Sequence, residues 1–287
     1  MIIFWTNTIW YIALGILTLI QLTVVFTKTN NRKLVFALYC TIAGIIFTYE
    51  ATILCFLKSY NYHPLLLQKN TMDDALAGNL FSQFLVSSTA ILIAVVKLRE
   101  VWYFLFAIIY VLIEELFLKL GIYEHYWYET WMTFVGLILM FWLVNIIYTS
   151  SLINIGPMLK RVYIFFGLYT LHMPIIFWVF KISGIIEPNM NLLRDQWHSY
   201  AFIALANLFF LSISCIIIYF TLSKWMLKIG AISILYLVLY MVDQTGILRV
   251  KEGWFLIFST TNILGMYFFV YVLDKFYDSK RSKPLRL

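Results

Sequence analysis

Long apolar runs alternate with short polar connections from one end of this chain to the other. The runs lie near residues 8–27, 34–57, 77–96, 101–120, 131–150, 162–181, 200–221, 228–247 and 254–273. Each is about twenty residues long, enough to cross a hydrocarbon core of ~30 Å as a helix. Hydrocarbon offers no water to backbone N–H and C=O groups, so each run is expected to satisfy its own backbone as an α-helix. The pattern predicts an all-α polytopic transmembrane bundle of nine spans, with eight as the alternative count. The first run lacks the basic leader and small-residue cleavage site of a signal peptide, and is read as an uncleaved span.

The charges between the runs sort by side. If the connection from Lys28 to Lys33 is cytoplasmic and the helices alternate, 14 of the 21 basic residues fall on the cytoplasmic side, with Glu100, Asp274 and Asp278 as the acids there. The other side holds 7 basic and 11 acidic residues, so the positive-inside rule places the amino terminus outside and the carboxyl terminus in the cytoplasm. The expected location is the plasma membrane. Hydrophobic residues make up 63% of the chain and charged residues 12%, which makes the +7 net charge an orientation signal and excludes a nucleic-acid footprint. The segment 275–287 reads as a basic cytoplasmic tail lying against anionic headgroups. No connection is long enough for a soluble domain, so residues 1–287 are expected to form one transmembrane domain.

Several ionisable residues fall inside the runs, where they are costly and are candidates for function. Glu50 lies 17 residues past Lys33, Glu114 15 past Arg99, and Asp243 15 past Lys228. At 1.5 Å per residue these are roughly 22–25 Å from the inner boundary, one layer in the outer third of the core. Glu115 adjoins Glu114, with Lys119 one turn on as a candidate ion-pair partner. His172, two residues before Pro174, is either a proton-relay member or a ring bonded to a carbonyl that the proline frees. The run Gly121–Trp131 holds Glu124, His125 and Trp127 among many rings. Tyr and Trp there suit an interfacial belt, but the charged residues do not. Together these residues suggest an outward-facing acidic and aromatic cavity suited to a small cation, an amine or protons.

Polar stripes at Asn79, Gln83 and Ser87 and at Ser259–Asn262 are expected to act as interhelical glue. Cys40, Cys55 and Cys215 read as core residues, and the sequence calls for no cofactor and no metal. No Walker loop, GxGxxG or zinc helix is present in the sequence.

Residues 77–150 and 200–273 show an internal similarity, read as parallel three-helix copies. Asn79-Leu80-Phe81 recurs as Asn207-Leu208-Phe209, Glu114-Glu115 falls opposite Asp243-Gln244, and Gly121-Ile122 answers Gly246-Ile247. The functional reading is proton- or cation-linked transport or sensing of a small ligand. A membrane-embedded enzyme and a structural partner subunit are the alternatives.

The run Ile113–Trp131, with His63-Pro64 and Asn79-Leu80-Phe81-Ser82, resembles an uncharacterised family of integral membrane proteins from endospore-forming Firmicutes. That resemblance implies a bacterial plasma membrane and no activity. Glu114-Glu115-Leu116-Phe117-Leu118-Lys119 resembles the Glu-Glu-x-x-x-Arg motif of CAAX-type glutamate intramembrane proteases. This second resemblance implies a glutamate-activated water, with His172 and His198 as partners. Lys119 stands in place of the arginine, and Leu168 in place of the phenylalanine of a Phe-x-x-x-His motif. The heterodimeric lycopene cyclases, small helical proteins with repeats and intramembrane acids, offer a weaker likeness.

Overall fold

The computed structural model describes residues 4–67 and 70–279, which excludes most of the basic tail. Among the described residues, nine helices are long and apolar enough to cross a membrane, beginning with Trp5–Lys28 and ending with Phe255–Asp278. The protein is an all-α polytopic helical membrane protein. Many large apolar side chains point outward, Leu112 at 63% and Leu139 at 60% exposure among them, as lipid-facing surfaces require.

The chain divides into two compact units, Met1–Gly156 and Pro157–Leu287. The first contains α1 (Ile9–Lys28), α2 (Arg32–Glu50), β1 (Tyr60–Tyr62), α3 (Thr71–Val96), α4 (Val101–Lys119), β2 (Tyr123–His125) and α5 (Thr130–Ile153). A π-helical turn, Ala51–Phe56, extends α2. Helix α3 is the centre of this unit, packed on α1, α2 and α5. Its Ala75, Ala77, Ser87, Ser88, Ala90 and Ala94 are small enough to let neighbouring backbones close in. Ser88 and Thr89 donate to Gln21 Oε1 of α1 (2.6 and 2.9 Å), and Thr89 also meets the Tyr110 hydroxyl of α4 at 2.6 Å. These residues supply the interhelical glue. In the expected stripe, Gln83 bonds Asn79 (3.2 Å) and Ser87 bonds the Gln83 carbonyl (2.7 Å) within α3, and Gln83 also bonds Glu50 of α2.

The start of α3 is set by Asn70, whose side chain accepts from Met72 N at 2.9 Å. One turn on, the Asp74 carboxylate accepts from the backbone N–H groups of Leu65, Leu66 and Leu67 (2.7–2.9 Å), which fixes the approach to the helix. At Gly78 an added Cβ would lie 3.0 Å from Tyr62 Cβ and 3.1 Å from Pro64 Cγ. Only glycine therefore allows β1 to sit this close to α3.

The second unit contains α6 (Pro157–Pro174), β3 (Ile186–Pro188), α7 (Gln196–Thr221), α8 (Trp225–Gln244), β4 (Leu248–Val250), α9 (Phe255–Thr260) and α10 (Met266–Asp278). The helix after Pro174 widens into a π segment, Ile175–Lys181. Another, Thr261–Gly265, joins α9 to α10.

Beyond α1, the two units have the same order of elements at a nearly constant spacing of 125 residues. Arg32 and Pro157 begin the first helices, Thr71 and Gln196 the next, and Thr130 and Phe255 the last. The antiparallel ribbons share a register: Tyr62 pairs with Tyr123 as Pro188 pairs with Leu248. The turn bonds recur as well. Leu120 N donates to Leu116 O as Thr245 N does to Met241 O, both at 2.9 Å. His63 N donates to Ile122 O as Asn189 N does to Ile247 O, again at 2.9 Å. Gly121 and Gly246 both adopt positive φ, +68° and +71°, to turn the chain from helix into strand.

The recurrence thus covers four helices and a ribbon, and the three-helix comparison of 77–150 with 200–273 lies inside it. Its register also changes. Gly121 and Gly246 are equivalent, but at the same spacing Glu114 matches Leu239 and Asp243 matches Leu118, so the acids of the two units do not correspond.

Candidate acid and tyrosine site

Strand alternation decides what the first ribbon presents to the helices. In a paired ribbon, directly opposed residues share a face and successive residues alternate between faces. Tyr60 is opposite His125 and Tyr62 opposite Tyr123, so these four share one face, while Asn61 and Glu124 take the other. The first face meets the buried carboxylates of Glu50, the last residue of α2, and Glu114, on α4.

The Tyr60 hydroxyl donates a short hydrogen bond to Glu50 Oε2. His125 Nε2 lies 3.0 Å from Glu114 Oε1, close but off the line of a well-aligned hydrogen bond. Glu115 Oε1 accepts from Thr130 Oγ1 at 2.8 Å, so its partner is the start of α5 and not Lys119. The tyrosines pack ring against ring. Tyr60 is 5.3 Å from Tyr123 and 5.0 Å from Tyr128 between centroids, and Tyr62 is 4.9 Å from Tyr123. His125 lies edge-on to Tyr123 (5.0 Å) and Tyr128 (5.5 Å). The cluster is self-filled, with rings where an open cage would have space.

Burial dominates the electrostatics of the ribbon. It pushes the Tyr60, Tyr62 and Tyr123 hydroxyls well above the usual phenol range, and the nearby Glu50 carboxylate pushes the same way. Burial also lowers the His125 pKa, with Glu115 opposing it. The imidazole is therefore neutral at neutral pH and sits against an acid.

Of the residues singled out in the sequence, Glu50, Glu114, Glu115 and His125 converge in the first unit. Glu124 is on the outer face of the ribbon, 3.5 Å from His63 Nε2. Trp127 donates its indole N–H to Leu57 O at 2.8 Å, which pins the loop to the end of the π turn. The other two belong to the second unit. There Asp243 Oδ1 accepts from Val250 N (2.8 Å), a structural tie between α8 and β4. His172 Nε2 lies 2.7 Å from Asn262 Oδ1, so its partner is a side chain of the neighbouring helix and not a carbonyl freed by Pro174. Composition suits the rings of Gly121–Trp131, Tyr123 among them, to an interfacial belt, and nothing in the sequence singles out Tyr60 and Tyr62. Their inward face depends on a three-residue pairing that apolar periodicity cannot reveal.

No family model, curated protein or solved structure matches this chain. Among the described residues, no group of three His, Cys, Asp or Glu side chains is placed to hold a metal ion. Fold and site together define a multi-pass integral membrane protein with a buried, protonatable cluster in its first unit.

Proposed function

We propose that the protein is a proton-linked transporter or sensor, in which Glu50, Glu114 and His125 bind and release protons. The observation that supports this best is the placement of two buried carboxylates, on separate helices, under one ribbon face that supplies both a hydroxyl donor and an imidazole. Carboxyls in a span are expensive and mark proton or ion pathways. Two under one ribbon face can take up and release protons as a pair. Tight ring packing favours protons over a bulky amine as the occupant. Movement of the ribbon away from the acids would admit water or a small cationic solute.

The plasma membrane, with the amino terminus outside, is the location that fits the charges. The ribbon end of the first unit carries Asp73, Asp74, Glu124 and Glu129 with Lys58 and Lys119, and the opposite end carries Lys28, Arg32, Lys33, Lys97 and Arg99 with Glu100.

Infrared difference spectra of the protein in lipid, recorded across a pH step, test the reading. A protonated-carboxyl band is expected, and Glu114→Gln should remove a large part of it. Proteoliposomes loaded with a pH dye should then show proton uptake when a transported small amine is added, and Glu114→Gln should abolish it. If neither acid changes protonation between pH 4 and 9, the proposal fails. Cleavage of a membrane peptide that depends on Glu114 would replace it with the protease reading.

A further inference from the structure

The second unit has a polar centre of its own, made of different residues. His172, 1% exposed, and Asn262, fully buried, join α6 to the α9–α10 helix through their 2.7 Å contact. Both helices leave regular α geometry here. Asn262 lies within the π segment Thr261–Gly265, and the segment Ile175–Lys181 begins three residues after His172. Such segments recur at functional sites, because the extra residue opens the helix locally.

Two atoms of this pair, His172 Nδ1 and Asn262 Nδ2, have no hydrogen-bond partner among the described residues. An unmatched buried nitrogen forfeits the hydrogen bond that water would give it, and two in one contact are rarely kept without a use. His172 also lines a cavity of about 30 Å³ between α6, α7 and the ribbon. That volume has room for one or two water molecules, and His172 is the polar side chain that α6 brings to its largely aliphatic wall.

The position of the cavity in the repeated architecture points the same way. It is lined by Ile186, Pro188 and Leu248, which match Tyr60, Tyr62 and Tyr123 in the ribbon register, so it occupies the place that the acid and tyrosine cluster fills in the first unit. Polar chemistry is exchanged between the units. At the common spacing Glu50 and Glu114 match Ile175 and Leu239, whereas His172 and Asn262 match Phe47 and Leu137. Small aliphatic side chains in place of tyrosine rings leave the space open.

We propose that His172 and the cavity it lines form a second buried site, which takes one or two water molecules and lets His172 exchange its ring proton inside the span. Water accepts from or donates to Nδ1 according to the tautomer, and Asn262, which does not line the cavity, holds the ring in place through its contact with Nε2. Lys181, whose ammonium lies 5.6 Å over the Tyr200 ring, is the charged residue that lines the cavity. The lining holds no carboxylate, unlike the site of the first unit, and the proposal does not depend on the role of Glu50 or Glu114.

Water-edited solid-state NMR of the protein in lipid, with 15N-labelled histidine, tests this directly. The chain has 4 histidines, so single substitutions assign every ring signal. At short mixing times the His172 ring nitrogens should receive water magnetisation well above the level of mid-span backbone amides. Ala204→Leu, which fills the cavity, should reduce that transfer several-fold and leave His63 and His125 unchanged. A His172 ring that receives no more than the mid-span amides would overturn the proposal, as would transfer from acyl-chain protons instead of water. The wild-type measurement decides the matter even if Ala204→Leu fails to fold. A dry His172 would leave the Glu114 infrared result untouched, so the two proposals fail separately.

Discussion

Tyr60 and His125 are directly opposed in a ribbon of three residue pairs, and that register determines which side chains reach the buried glutamates. Residue type alone pointed to Glu50, Glu114 and Glu115, because an ionisable group in an apolar run stands out, and to His125 as an ionisable residue among the rings of Gly121–Trp131. The tyrosines did not stand out, since rings are common throughout the chain. Asp243 had the same sequence signature as Glu114, yet it anchors a turn through Val250 N. A carboxylate near a helix end can be spent on backbone donors, and spacing cannot tell that use from another. His125 gives a prediction at this scale. Burial lowers its pKa below the ordinary histidine value of about 6.5, so as pH falls the unfolded chain takes up the proton first. Its contribution to stability is complete above that value and is lost as pH drops through the lowered folded value. Glu114, Glu115, Tyr123 and Tyr128 surround the ring. Thermal unfolding in detergent should show a midpoint that falls on acidification from pH 7 to 5, with a shallower fall in His125→Gln. Parallel curves for the two proteins would show that His125 does not titrate in this range.

The helices were legible as elements because length and apolarity in lipid leave few alternatives. Observed spans such as Arg32–Phe56 and Val101–Lys119 lie within a few residues of the apolar runs. The ribbons were not legible. Three-residue strands are too short for alternation to register against flanking helices, and their pairing is long-range. The π segments were equally hidden, because one extra residue per turn barely disturbs an apolar stripe that faces lipid on one side. Glycine was the readable trace of the ribbons, since Gly121 and Gly246 mark the two helix-to-strand turns. Each has positive φ, so Gly121→Ala and Gly246→Ala should each destabilise their unit by about 1–2 kcal/mol. Detergent melts would measure both. A neutral Gly121→Ala would mean that the turn relaxes without cost to the ribbon.

For the whole molecule, the charge pattern carries orientation, which no amount of packing detail supplies. Reporter fusions at Asn30 and Asn154 should report the cytoplasm, and fusions at Asn70 and Asn189 the exterior. The reverse result would invert the orientation and place the acid cluster at the inner face. The repeat was half legible. The glycine pair gave the correct spacing of 125 residues (121 to 246), while Asn-Leu-Phe and the acids suggested 128 and 129. Leu and Phe are so frequent here that short matches arise in the wrong register, whereas a turn that requires glycine cannot drift. Each ribbon is closed by strands of a single unit, and only Asn154–Gly156 lie between α5 and α6. A gene broken at that junction would encode two polypeptides, each with a whole strand pair and the helices of its own unit.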